Sequence, residues 1–153
     1  MNVTDVSIDE GVEPAPDPAR TVSFVHRVLS ELSIDGWEVS LRFCDDELIR
    51  SLNREYRDID EPTDVLSFSQ TEGDPMGGAG DGTVVAGDLV ISLAAAQRSA
   101  VEFDVDLEQE LKRLIIHGIL HLAGYNHSDN SSDQPMLQRQ EALVDSLAEE
   151  RLL

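Results

Sequence analysis

The chain has 153 residues, of which 41% are apolar and 27% are charged, so it suits one domain with one core, and its composition excludes wholesale disorder. Its net charge of -20 excludes a broad electrostatic grip on nucleic acid or on an anionic membrane, so any contact with RNA must be local. We expect a cytoplasmic protein, because the sequence shows no signal peptide and no run of roughly 20 apolar residues. The single cysteine, Cys44, permits no intrachain disulfide, which fits a reducing compartment.

The first part of the chain predicts strands and helices in alternation. Apolar and polar residues alternate from Trp37 to Phe43, a pattern that is typical of a half-buried strand. Asp17 and Asp45 are suitable N-caps for the segments that follow them. The expected elements are a strand at 3–8, a helix at about 18–32, the strand at 37–43, a helix that follows Asp45 and ends near Tyr56, and a strand at 65–69. Residues 57–64 are therefore predicted to form a loop.

A glycine-rich segment separates the first part of the chain from the second. Residues 72–82 contain five glycines and one proline, which predicts a flexible loop. A strand is expected at 83–91, and Gly87 within it indicates a bulge or a close approach of another backbone. An alanine-rich helix should follow at about 92–103.

Two further helices are predicted in the last third of the chain. Asp106 and Gln109 form a capping box for a helix that runs through His121, and Gly124 is well placed to end it. The last helix should begin near Asp133. It presents a largely apolar face that includes one amide side chain, Gln140, among its leucines and valine.

Three of the four histidines lie in the segment HGILHLAGYNH, residues 117–127. Positions i and i+4 of a helix stand one above the other, so His117 and His121 should direct their imidazoles to a common spot. Gly124 lets the chain reverse and bring His127 towards the same spot. The spacing matches the metal-binding pattern HxxxHxxGxxH, so we predict that His117, His121 and His127 are the ligands of one metal ion.

The ligand type and number favour zinc and hydrolysis. Neutral imidazole is the commonest zinc donor, and three protein ligands leave the fourth tetrahedral position open for water, as in catalytic rather than structural sites. Bound zinc lowers the pKa of water to about 7 and polarises a carbonyl or phosphoryl oxygen. We therefore expect one Zn²⁺ ion and a hydrolytic reaction.

An alternative is that the histidines are polar residues of helix and loop surfaces, and for an HxxxH pair alone that interpretation would be preferred. The third histidine favours the metal. Metalloproteases with this spacing carry a glutamate base directly after the first histidine, whereas this chain has Gly118 there. Because glycine cannot accept a proton, peptide hydrolysis by that route is disfavoured, and phosphodiester cleavage fits better.

The histidine segment resembles the signature of the YbeY family, bacterial metal-dependent endoribonucleases that act in ribosomal RNA maturation. Two further blocks are similar to that family: residues 53–68, NREYRDIDEPTDVLSF, resemble its stretch ending in PTDVLSF, and residues 87–92, GDLVIS, resemble its GDI-type strand. The blocks stand in the family's order. Two features depart from its pattern: Asn126 stands where aspartate is usual, and the glycine-rich loop looks longer.

The resemblance implies a fold, a substrate and a partner. We predict a single domain over residues 1–153 of the α+β class, zincin-like, with a small mixed β-sheet packed against about five helices. The resemblance further implies zinc on His117, His121 and His127, a single-stranded or ribosomal RNA substrate, and association with the small ribosomal subunit in rRNA maturation and quality control. No membrane partner is expected.

Arg57 is implied by the resemblance as an arginine of the active-site cleft, and we predict Arg57, His117 and His121 as catalytic residues. A guanidinium can bind a scissile phosphate bidentately and offset the charge that develops in the transition state. The alternative for Arg57 is a surface ion pair with one of the many nearby acids. Lys112 and Arg113 are expected to belong to a solvated face rather than to an RNA track.

Two other functions stay open at the level of the sequence. One is a ribosome-associated assembly factor whose metal is mainly structural. The other is a metal-dependent hydrolase of a different substrate, such as a peptide, against which the missing glutamate at Gly118 counts.

Overall fold

In the computed structural model, helices and strands follow one another in the order that the hydrophobic pattern predicts. The structure describes residues 1–70, 84–125 and 134–153. Within those ranges the elements are β1 (Val3–Ile8), α1 (Pro18–Glu31), β2 (Trp37–Cys44), α2 (Asp46–Arg57), β3 (Val65–Ser69), β4 (Val84–Ser92), α3 (Leu93–Glu102), α4 (Leu107–Leu122) and α5 (Pro135–Ser146). The loop predicted at 72–82 lies outside the described residues. In the described part of the chain, no helix is long and apolar enough to cross a bilayer.

Side-chain caps begin four of the helices, as the sequence predicts for three of them. Each capping oxygen accepts a hydrogen bond from the backbone N–H three residues further on, which satisfies a donor that the helix itself leaves unpaired. The capping residues are Asp17, Asp45, Ser92 and Asp106. Helix α2 ends with Asp58 in the left-handed conformation, at a φ of 60°. Arg57 therefore lies in the last turn of α2 and not in the predicted loop, because the helix continues up to this left-handed residue.

The strands form one mixed sheet in the order β1-β2-β4-β3. β1, β2 and β4 are parallel, whereas β3 is antiparallel to β4 and forms an edge. The register of β2 against β4 shifts between Glu38 and Val39, which leaves Ala86 as a bulge beside Gly87. A Cβ on Gly87 would collide with the backbone carbonyl oxygen of Phe68. The bulge and the close backbone approach considered for Gly87 are therefore both present.

Helices cover the two faces of the sheet unequally. The main core lies on the face of Leu41 and Leu89, where α1 and α4 pack on the strands and α5 packs on α4. On the opposite face, Ile49 of α2 packs on Leu66 and Val90 in a smaller cluster. Beside that cluster, a groove of about 500 Å³ runs between α2 and strands β1, β2 and β4. The predicted α+β class, with a small mixed sheet and helices around it, is confirmed.

The solvated face predicted around Lys112 is wrong. Lys112 is only 4% exposed, and the neighbouring Glu108 and Glu110 are 5% and 3% exposed. The Lys112 ammonium donates to the backbone carbonyl oxygens of Leu147, Ala148 and Glu150. Glu108 Oε1 accepts hydrogen bonds from the backbone N–H groups of Leu152 and Leu153. Lys112 and Glu108 are buried because the segment after α5 folds back over α4, and its backbone groups compensate both charges for the loss of water.

Candidate metal centre

Helix α4 lies close against β4 because it carries a glycine where the two elements meet. A Cβ added at Gly118 would lie 2.6 Å from Cδ2 of Leu89, and the other nearest atoms also belong to Leu89. Position 118 therefore faces the core of the sheet and not the imidazoles of the neighbouring turn. The place that holds glutamate in metalloproteases is a packing position in this chain.

His117 and His121 direct their rings to one spot on α4. Their Nε2 atoms are 3.1 Å apart, and their ring centroids are 4.6 Å apart with planes at 77°. Two Zn–N bonds of about 2.0–2.1 Å that meet at a tetrahedral angle hold their nitrogens roughly 3.3 Å apart. The spacing of this pair thus fits two ligands of one small metal ion. Both histidines are partly exposed.

A second nitrogen of His117 contacts the following helix. His117 Nδ1 lies 2.7 Å from Oε1 of Gln140 on α5. Nε2 of Gln140 donates to Oε2 of Glu141 at 3.0 Å, and Arg113 donates two hydrogen bonds of 2.9 Å to the same carboxylate. The Arg113 guanidinium lowers the pKa of Glu141, and Glu141 raises the pKa of Arg113, so both stay charged. Gln140 is not among the site residues predicted from the sequence, although an amide on an apolar helix face is the signal of a buried polar partner.

The third predicted ligand, His127, lies outside the described residues. Across residues 1–70, 84–125 and 134–153, no three His, Cys, Asp or Glu side chains form a group that could hold a metal ion. His117 and His121 are therefore two candidate donors, and the assignment of all three histidines as ligands stays a prediction.

Arg57 is exposed at the C-terminal end of α2, and the structure does not bring it into contact with the histidines. Helices α2 and α4 pack on opposite faces of the sheet. The neighbouring Tyr56 is 62% exposed, packs edge-on against Phe68 and lines the groove. The catalytic role of Arg57 thus stays a prediction.

The ion pair considered as the alternative for Arg57 is not found in the described part of the chain. The sequence has 11 lysines and arginines against 31 acids, so most cations are expected to have a carboxylate partner. Only Arg54 and Arg57 make no side-chain hydrogen bond or ion pair to the residues that the structure describes. The other nine are Arg20, Arg27, Arg42, Arg50, Arg98, Lys112, Arg113, Arg139 and Arg151. Two adjacent turns of α2 therefore present guanidinium groups that can receive an anion.

The fold and the histidine pair define a small α+β protein with a candidate metal centre on the helix that crosses its sheet. The family model described as endoribonuclease YbeY matches residues 14–148. The chain therefore belongs to the YbeY family, as the sequence resemblance predicts.

Individual relatives agree with this assignment over most of the chain. An endoribonuclease YbeY of Treponema denticola is 50% identical over 143 residues, which cover 94% of this chain and 92% of that protein. The proteins of the same name from Treponema pallidum and Pelotomaculum thermopropionicum are 43% and 42% identical, with 93% and 87% of this chain and 89% and 90% of theirs covered. The solution structure of TM1509 from Thermotoga maritima matches with a TM-score of 0.62 at 27% identity, covering 97% of this chain and 91% of that one.

Proposed function

We propose that this chain is a zinc-dependent endoribonuclease that hydrolyses phosphodiester bonds of single-stranded RNA in ribosomal RNA maturation and quality control. The observation that carries the proposal is the pair of Nε2 atoms of His117 and His121, 3.1 Å apart on one helix. His127 follows at the spacing of the metal-binding pattern. The name of the relatives, endoribonuclease, supports RNA as the substrate class.

In this proposal the three histidines hold the ion and present an open side to solvent. Bound zinc would polarise a phosphoryl oxygen and lower the pKa of water. The Arg57 guanidinium, which pairs with no carboxylate in the described part of the chain, would bind a phosphate of the RNA and offset developing negative charge. Gly118 supports RNA over peptide, because a glutamate base at that position would collide with Leu89.

We further propose the small ribosomal subunit as the partner and the cytoplasm as the compartment. Family membership supports the first proposal, and the single cysteine is consistent with the second. Because the chain carries a net charge of -20, RNA affinity should come from the metal site and the arginines of α2 alone. RNA affinity should therefore fall as the salt concentration rises.

Cleavage of a single-stranded ribosomal RNA fragment by purified, zinc-loaded protein tests the proposal. We expect His117→Ala and Arg57→Ala to lower the rate by about 10²–10³-fold, the range seen when one charge-stabilising group is removed. Elemental analysis should show that His117→Ala loses zinc and that Arg57→Ala keeps it. Arg27→Ala, which removes an exposed arginine of a surface pair on α1, is the matched control and should cleave at the wild-type rate.

Three results would count against the proposal. Wild-type rates in both His117→Ala and Arg57→Ala would contradict the hydrolytic site. Zinc retained in His117→Ala would contradict the ligand set. A wild-type protein that loses thermal stability without zinc, binds the small subunit and cleaves no RNA would instead support the assembly factor with a structural metal.

A further inference from the structure

We propose that Gln140 is a positioning residue that holds His117 in the tautomer and ring orientation needed for a metal ligand, and that the Glu141–Arg113 pair holds the Gln140 amide in place. This inference rests on the metal site of the proposed function and assigns residues of α5 to it. The predicted ligands all lie between residues 117 and 127, so α5 is otherwise outside that site.

Gln140 determines which ring nitrogen of His117 carries the hydrogen. Oε1 of Gln140 lies 2.7 Å from Nδ1 of His117, and an amide oxygen can only accept a hydrogen bond. The neutral imidazole has one N–H and one unprotonated nitrogen, so Nδ1 carries the hydrogen and Nε2 carries the lone pair. That Nε2 is the atom that lies 3.1 Å from Nε2 of His121. The tautomer thus directs the metal-binding lone pair to the spot that the two rings share.

Glu141 fixes the orientation of the Gln140 amide. The oxygen and nitrogen of an amide have nearly the same shape, so shape alone does not decide which of them faces His117. Nε2 of Gln140 donates to Oε2 of Glu141 at 3.0 Å. A flipped amide would set its oxygen against that carboxylate, so two acceptors would face each other. Arg113 keeps the carboxylate ionised and in place through two hydrogen bonds of 2.9 Å. The only stable arrangement therefore presents Oε1 to His117.

Burial of Gln140 restricts the motion of its amide, whereas Glu141 is half exposed and is held by Arg113. Gln140 is 7% exposed and lies on the face of α5 that packs on α4, beside the buried Met136 and Leu143. In such surroundings a hydrogen bond is stronger than in water and an unpaired polar atom is costly. Partners that orient a metal-ligating histidine typically contribute 10–100-fold to metal affinity. We expect a contribution of that size from Gln140.

Zinc affinity of the full chain tests the inference. Zinc-free protein is titrated with Zn²⁺ in competition with a chromogenic chelator. Gln140→Met keeps the length of the side chain and removes the acceptor, so its affinity should fall by about 10–100-fold. Gln138→Met, an exposed position on the same helix, is the matched control and should bind like the wild type. Gln140→Glu keeps an acceptor for His117 but sets its second oxygen against the Glu141 carboxylate, so its affinity should lie between those of the wild type and Gln140→Met.

A readout without metal separates positioning from general loss of structure. Nitrogen-15 NMR of zinc-free protein at pH 8 should show the His117 hydrogen on Nδ1 in the wild type and in Gln138→Met, and at least partly on Nε2 in Gln140→Met. Arg113→Met leaves Gln140 intact but frees its amide, so it should weaken zinc binding less than Gln140→Met and more than Gln138→Met. Thermal unfolding checks that each variant is folded.

The outcomes distinguish this inference from the proposed function. Tight zinc binding by the wild type and equally tight binding by Gln140→Met would overturn the role of Gln140 and leave the metal site standing. A hydrogen on Nε2 of His117 in the zinc-free wild type would overturn it as well. A wild type that binds no zinc would overturn the proposed function itself, and with it the contribution of Gln140 to metal affinity.

Discussion

Single ionisable residues of α4 have different environments although they are neighbours in the sequence. Lys112 and Glu108 bind the backbone of the C-terminal segment, and Arg113 binds the carboxylate of Glu141. Glu110 has no comparable partner: its Oε2 makes no hydrogen bond within the described residues, and the side chain is 3% exposed. Burial raises the pKa of the Glu110 carboxyl, and the nearby Arg113 opposes that rise without cancelling it.

Replacing Glu110 with glutamine should stabilise the protein at high pH. The folded state keeps the proton of Glu110 to a higher pH than the unfolded chain does. Between the unfolded pKa and the raised folded pKa of Glu110, the folded state therefore binds more protons, and the free energy of unfolding falls as pH rises. Glu110→Gln removes that fall, so its free energy of unfolding should exceed the wild type's at pH 8 by an amount on the order of 1 kcal/mol, with a correspondingly higher unfolding temperature, and should approach the wild-type value near pH 5. Thermal unfolding at pH 5 to 8 measures the difference. A difference that does not change with pH would contradict the assignment.

The relation between α4 and β4 is set by side-chain volume where the two elements meet. Gly118 of α4 lies directly over Leu89 of β4, which is 1% exposed. On the same strand, Gly87 accommodates Phe68 of β3 and Leu122 of α4. The helix that carries the histidines is thus placed by two glycines, neither of which points into the candidate metal centre.

Gly118→Ala should destabilise the protein even though alanine favours helix. The gain in helix propensity is about 1 kcal/mol, whereas overpacking a full core costs about 1–3 kcal/mol. Because the added methyl meets only atoms of the buried Leu89, we expect a net loss of up to about 2 kcal/mol in urea unfolding. The double variant Gly118→Ala/Leu89→Val should lose less than the sum of the two single changes, since the shorter side chain makes room. Additive losses would show that the two positions do not press on each other.

The net negative charge of the chain opposes both the folding of the chain and its binding to RNA. The chain has 31 acidic residues against 11 basic ones, and most of those bases are already engaged with carboxylates or with backbone carbonyls. The excess negative charge repels itself in the folded state. The same charge leaves the proposed metal centre and the arginines of α2 as the places where a phosphate backbone can be attracted.

Salt should therefore act in opposite directions on stability and on RNA binding. Raising KCl from 0.05 to 1 M shortens the Debye length to about 3 Å, so the self-repulsion is screened. We expect the unfolding temperature to rise by roughly 2–4 °C, which corresponds to about 1 kcal/mol for a chain of this size. Affinity for single-stranded RNA should fall over the same range. Calorimetry and fluorescence anisotropy measure the two effects, with equal osmolality of sucrose as the control. An unfolding temperature that falls with KCl would contradict the first effect.

The sequence by itself determined the features that depend on near neighbours along the chain. The order of the elements, the caps at Asp17, Asp45 and Asp106, and the convergence of His117 with His121 all follow from local rules of period and hydrogen bonding. Membership of the YbeY family also followed from short blocks of sequence and was confirmed by the family match.

Only the tertiary structure decided which polar residues are buried and which groups they contact. Lys112 binds carbonyl groups 35 to 38 residues away, and Gln140 meets His117 across 23 residues. Periodicity indicates that a residue lies on a certain face of a helix, but it does not say what covers that face. The segment after α5 turned an apparently solvated face into a buried one, and the packing of α5 on α4 gave His117 its partner, because such contacts depend on the relative placement of elements that are distant in sequence.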